Sequence, residues 1–274
     1  MVTGYNFEIN EDDNRFDEYI KKGEEQLAKY RVGVNKNLEE YVINGVADGT
    51  KIEKEWFPEM DADIFISHSH ADENLAKGIA GWLYETFGLH CFIDSCVWGY
   101  SDHLLELIND KYSEKKEDTN GGWIYNHRKC NTASKHVSTM LNIALQRMID
   151  KTEITIVLNT NNSISKYVDI YKNSTYSPWI YSEVLCTQIV KRKSIGDYRD
   201  SEELRHVNES ARFDNEGFGA FYELKLEHLK TLDVDLLCKW KRKYEKHKIE
   251  YPLDYLYELT YEEIKKEDLI EMTE

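Results

Sequence analysis

The chain has 274 residues, of which 51 are acidic and 35 basic, giving a formal charge of -16 at pH 7. That length supports a sizeable core, either as one large domain or as a domain with an appendage. The charge repels phosphate backbones and anionic bilayers, so nucleic acid and membrane are not expected as partners, and no apolar run approaches the roughly 18 residues that cross a bilayer.

The first ten residues lack the basic segment and apolar core of a leader, so a cytoplasmic location is expected. The five cysteines are scattered and odd in number, which argues against a disulfide framework and for reduced thiols. His90, Cys91, Cys96, His103, His127 and Cys130 contain no Cys-x-x-Cys pair and fit none of the usual zinc spacings, so no metal is expected.

Residues 1–60 read as an N-terminal helical extension. Phe16, Tyr19, Ile20, Leu27 and Tyr30 recur at roughly helical intervals among charged residues. From Asp61 the pattern changes. Asp63 to Ser67 is a short apolar, β-branched run suited to a strand covered on both faces. Leu75, Ile79, Trp82, Leu83 and Phe87 then predict a helix that stops at Gly88. Gly78 and Gly81 inside that helix each cost about 1 kcal/mol relative to alanine, which predicts a backbone lying close against the sheet.

His90 to Asp94 reads as a second strand, parallel to the first across the helix. A loop from Ser95 to Asp102 leads to a helix around Leu104, Leu105, Leu107 and Ile108. The polar stretch from Tyr112 to Ser134, with Gly121-Gly122, reads as an inserted loop or lid. A helix over Met140 to Met148 precedes Ile154 to Leu158, the clearest strand in the chain. A second polar insertion, 159–176, ends at Ser177-Pro178, a serine cap followed by proline at the first helical position. Gly219 to Leu226 is expected to supply the last strand and Leu232 to Tyr244 a closing helix, with an acidic segment, 246–274, at the end.

Phe65-Ile66-Ser67-His68-Ser69 at a strand end, an acidic helix start, then Phe92-Ile93-Asp94 and a glycine-containing loop together resemble the opening of a TIR domain. Ser177-Pro178-Trp179-Ile180-Tyr181-Ser182-Glu183 is similar to that family's Ser-x-Trp-x-x-x-Glu pattern. The likeness runs from Asp61 to Lys193 and more weakly to Tyr244. It implies a flavodoxin-like α/β fold over residues 61–245, with a central parallel sheet of about five strands and helices on both faces. The polar insertions near 112–135 and 159–176 depart from the family's pattern and point to a bacterial member. In the resemblance, Ser95 to Asp102 is the mobile BB loop, Ile154 to Leu158 is the fourth strand, and Glu183 takes the place of the catalytic glutamate.

Enzymatic TIR domains cleave the nicotinamide–ribose bond of NAD. The resemblance therefore implies an NAD glycohydrolase or cyclase of the kind found in bacterial anti-phage defence, using NAD as substrate and no bound cofactor. The partners it implies are other copies of the chain and a downstream effector of the nucleotide product. Ser67, His68, Ser69, Asp94, Trp98, Tyr100 and Trp179 are the candidate substrate-binding residues. Trp179 and Glu183, spaced i and i+4, share a helix face. The alternative is a non-enzymatic scaffold acting through homotypic contacts.

Overall fold

The computed structural model describes residues 1–30, 38–43, 46–98, 101–119, 121–165, 173–198 and 222–261. Its centre is a five-stranded parallel sheet built from β1 (Thr3–Glu8), β2 (Ile64–Ser67), β3 (Cys91–Phe92), β4 (Ile154–Asn159) and β5 (Lys230–Leu232), in the spatial order β5-β1-β4-β2-β3. Parallel strands need helical crossovers, and these cover both faces, so β2 and β4 read as continuous apolar runs and are buried along their whole length. The α/β class, the parallel sheet and its five strands agree with expectation.

The N-terminal reading needs correction. Residues 3–8 are a strand, inserted between β4 and β5. Tyr5 and Phe7 are fully buried there, and their alternation with Gly4 and Asn6 is the period-two signal of a sheet. Counted from β2, the succession β3-β2-β4 reproduces the 2-1-3 start of a flavodoxin-like sheet. Its fourth place is taken by the N-terminal strand, so β4 stands third rather than fourth.

The helices among the described residues include α1 (Ile20–Ala28), α2 (Gly49–Trp56), α3 (Glu73–Phe87), α4 (Asp94–Val97), α5 (Ser101–Tyr112), α6 (His127–Lys151), α7 (Pro178–Ile189) and α8 (Val234–Lys246). Helix α3 ends as read, with Gly88 in the left-handed conformation at φ 74°. Gly78 and Gly81 do not face the sheet. A Cβ on Gly81 would lie 2.1 Å from the Tyr19 carbonyl oxygen, and one on Gly23 would lie 2.0 Å from that of Lys77. The glycines therefore let α1 and α3 cross backbone to backbone.

The stretch expected to be an inserted loop or lid instead folds as an antiparallel hairpin, Lys116–Glu117 with Trp123–Ile124, followed by the 25-residue α6. Asn126 starts that helix by accepting a hydrogen bond from the Lys129 amide at 3.3 Å. Tyr222–Glu223, within the expected last strand, pairs with Ser174–Thr175 in a separate two-stranded sheet; the last sheet strand is β5, and residues 219–221 lie outside the described residues.

Beyond α8, Leu253, Leu256 and Tyr257 are buried in the main core, so the acidic end segment is integral to the fold at least to residue 261. Residues 262–274 lie outside the described residues. Phe87 of α3 stacks on Trp240 of α8, with ring centroids 4.0 Å apart, and the Trp240 indole N–H donates to the Pro252 carbonyl at 2.8 Å. No helix among the described residues is long and apolar enough to cross a membrane.

Candidate functional site

In open parallel sheets, ligands bind beyond the carboxyl ends of the strands where successive connections diverge to opposite sides. Here the divergence falls at β2, whose following strand β3 lies on one side while β4 lies on the other. Ser67 is the last residue of β2 and pairs in register with Val157 of β4.

Glu183 reaches the same place from α7. Ser177 caps that helix by accepting the Ile180 amide at 3.3 Å, and Pro178 occupies its first turn. One and a half turns further on, Glu183 is 5% exposed and Ser67 is 1% exposed. The Ser67 hydroxyl donates to Glu183 Oε2 at 2.6 Å, the length of a charge-assisted hydrogen bond. Ser182, the preceding residue, donates to Asn142 Oδ1 of α6 at 3.1 Å. The helix is thereby tied to its neighbour beside the carboxylate. Trp179 is half-buried and packs against the main core.

His68 and Ser69 leave β2 at the same edge, both half-buried. His68 Nε2 lies 3.5 Å from Ser95 Oγ in α4. Burial pushes the His68 pKa down, against the opposing pull of the Asp94, Glu73 and Asp72 carboxylates, so its imidazole is neutral at pH 7. Asp94 opens α4, and its carbonyl accepts the Trp98 amide at 3.0 Å. The Ser69 carbonyl accepts the Asp72 amide at 2.8 Å, turning the chain into α3.

Trp98 is placed elsewhere than expected. It is 6% exposed, with Phe92 and Phe57 at centroid distances of 4.7 and 5.6 Å. Its indole N–H donates to the Pro58 carbonyl at 2.9 Å. An apolar ring in a loop needs cover, and here the segment before β2 supplies it, so Trp98 is packing rather than a displayed stacking surface. Tyr100 lies outside the described residues.

Two polar groupings on this edge escaped the sequence reading. Asp72, buried at the start of α3, accepts Thr160 Oγ1 at 2.6 Å and Asn162 Nδ2 at 2.7 Å, pinning the turn after β4 to α3. Next to it, residues 8–11 at the end of β1 and 159–161 at the end of β4 line an open polar cleft of about 320 Å³. The run Asn159-Thr160-Asn161-Asn162-Ser163 directly behind the strongest strand was the available signal. It reads only as an insertion because its partners, Asp72 at the start of α3 and Asn6 and Glu11 in and just after β1, are brought to it by strand order rather than by any local pattern.

These features define the chain as a parallel α/β protein with a buried serine–carboxylate pair at the divergence of its sheet. No family model, curated protein or solved structure matches it.

Proposed function

We propose that the protein cleaves the bond between nicotinamide and ribose in NAD, as the resemblance to TIR enzymes implies, with Glu183 as the catalytic carboxylate. One observation carries the reading: a glutamate buried at the carboxyl edge of the sheet, held by a 2.6 Å hydrogen bond from Ser67 where the sheet connections diverge.

Nicotinamide departs as a neutral molecule and needs no general acid, while positive charge develops on the ribose. A fixed carboxylate in a water-poor site favours that oxocarbenium-like state over the ground state. Ser67 acts as a positioning residue, fixing the rotamer of Glu183. His68, Ser69 and Asp94 border the same edge and supply polar contacts for the substrate. The product is ADP-ribose or a cyclised form of it, and assembly of copies of the chain together with a downstream effector completes the signalling role.

At 5% exposure, Glu183 meets substrate only after side chains at the rim move, so the dilute protein is expected to turn over slowly and an assembled form faster. The same near-complete burial favours a second reading, in which the Ser67–Glu183 pair is a structural tie and the protein is a scaffold. Nicotinamide release from NAD by the wild type and by Glu183→Gln decides between them. The proposal requires release by the wild type and its loss in the variant, with the fold retained; undiminished release by the variant removes Glu183 from the chemistry.

A further inference from the structure

We propose that the cleft between the ends of β1 and β4 is a ribose-binding subsite, separate from the Ser67–Glu183 pair and on the same edge of the sheet. Its walls are prebuilt across a wide sequence separation. Glu11 accepts Asn161 Nδ2 on both carboxylate oxygens, at 2.9 and 3.1 Å. The Asn159 carbonyl accepts the Ile9 amide at 3.3 Å, and Asn159 Nδ2 donates to Asn6 Oδ1 at 3.0 Å.

The lining is rich in acceptors. Glu8 and Glu11 contribute carboxylates, and the Asn161 hydrogen bond holds the Glu11 carboxyl below the usual range, keeping it ionised and acceptor-only. Asn159 is 8% exposed, and its Oδ1, unlike its Nδ2, makes no hydrogen bond. That oxygen opens to the cleft and is available to a donor that a ligand brings.

The two carboxylates repel phosphate. Among the described residues, no group of three or more His, Cys, Asp or Glu side chains is arranged to hold a metal ion. A sugar diol fits what remains, because two adjacent hydroxyls can donate to one carboxylate, the arrangement by which strand-end acids hold ribose in dinucleotide folds. Position favours a ribose over an unrelated polyol. Asn159 lies two residues past Val157, the register partner of Ser67, which is about 7 Å along the strand. A dinucleotide with one ribose against Glu183 can place its second ribose here; this identification of the ligand rests on the NAD reading above.

Titration calorimetry of the full chain with adenosine and with 2′,3′-dideoxyadenosine tests the subsite, since neither carries a scissile nicotinamide bond. Adenosine is expected to bind, with at least tenfold weaker binding both for the dideoxy compound and for adenosine on Glu8→Gln. Equal binding of the two nucleosides, no adenosine binding, an unaffected Glu8→Gln, or adenosine displaced by spermidine at lower concentration than by ribose would each overturn it. If adenosine behaves as expected while NAD stays intact, the glycohydrolase reading falls and the subsite stands; if NAD is cleaved and adenosine does not discriminate, the subsite alone falls.

Discussion

Ser67 ends a strand whose other members, Ile64, Phe65 and Ile66, are apolar and buried, and its hydroxyl would be costly there without a partner. Glu183 is that partner. Replacing Ser67 with alanine leaves a buried carboxylate short of a donor, and unfolding in urea should show a loss of about 1–3 kcal/mol. Under the proposed chemistry, Ser67→Ala should also lower kcat for nicotinamide release more than it raises KM, because the residue holds the catalytic group rather than the substrate; a change confined to KM would return Ser67 to a substrate contact.

His68 carries a pH dependence of defined sign. Its folded pKa lies below the unfolded value because of burial, so the unfolded chain takes up a proton first on acidification. The stability it contributes is present above about pH 6.5 and declines as pH falls through the folded pKa. The urea midpoint should therefore drop between pH 7 and pH 5.5, and His68→Gln should drop less. An equal drop in both proteins would show that His68 is not the group responsible.

At the scale of elements, the crossing of α1 and α3 sets two effects against each other. Alanine in place of a mid-helix glycine ordinarily gains about 1 kcal/mol. At Gly81 the new Cβ would meet the Tyr19 carbonyl oxygen at 2.1 Å and the Gly23 nitrogen at 2.7 Å. These are backbone atoms that cannot turn aside, so overpacking at about 1–3 kcal/mol wins. Gly81→Ala should lower the urea midpoint; a raised midpoint would mean that the crossing relaxes freely.

The elements legible in the sequence were those with a strong local signal: β2 and β4 as apolar runs, α3 with its glycine stop, and α7 with its Ser177-Pro178 start. The start of α6 was not legible, since residues 127–139 are too polar to declare a buried face although Asn126 supplies the cap. Strand β1 was missed for a related reason. With Gly4 and Asn6 alternating with its aromatic residues and Thr3 its sole β-branched residue, it lacks the composition expected of a central strand, and the charged helical stretch behind it dominates the region.

For the whole molecule, strand order depends on pairings that no local pattern encodes. The N-terminal strand joins β4 over some 150 residues of chain through six register pairs, while β5 closes the sheet on its other side. The candidate site was half visible for the same reason. Ser67 and Glu183 could be placed on a strand end and a helix, but their contact and the cleft beside them depend on which strands are neighbours. Trp98 was misplaced because its cover, Phe57 and Pro58, comes from the segment preceding β2.

Mass spectrometry of the small molecules formed when NAD is incubated with the full chain, dilute and under crowding, tests the central claim most directly. The account predicts nicotinamide together with linear or cyclic ADP-ribose from the wild type, and neither from folded Glu183→Gln. Intact NAD with the wild type under both conditions, or the same products from the variant, would contradict it.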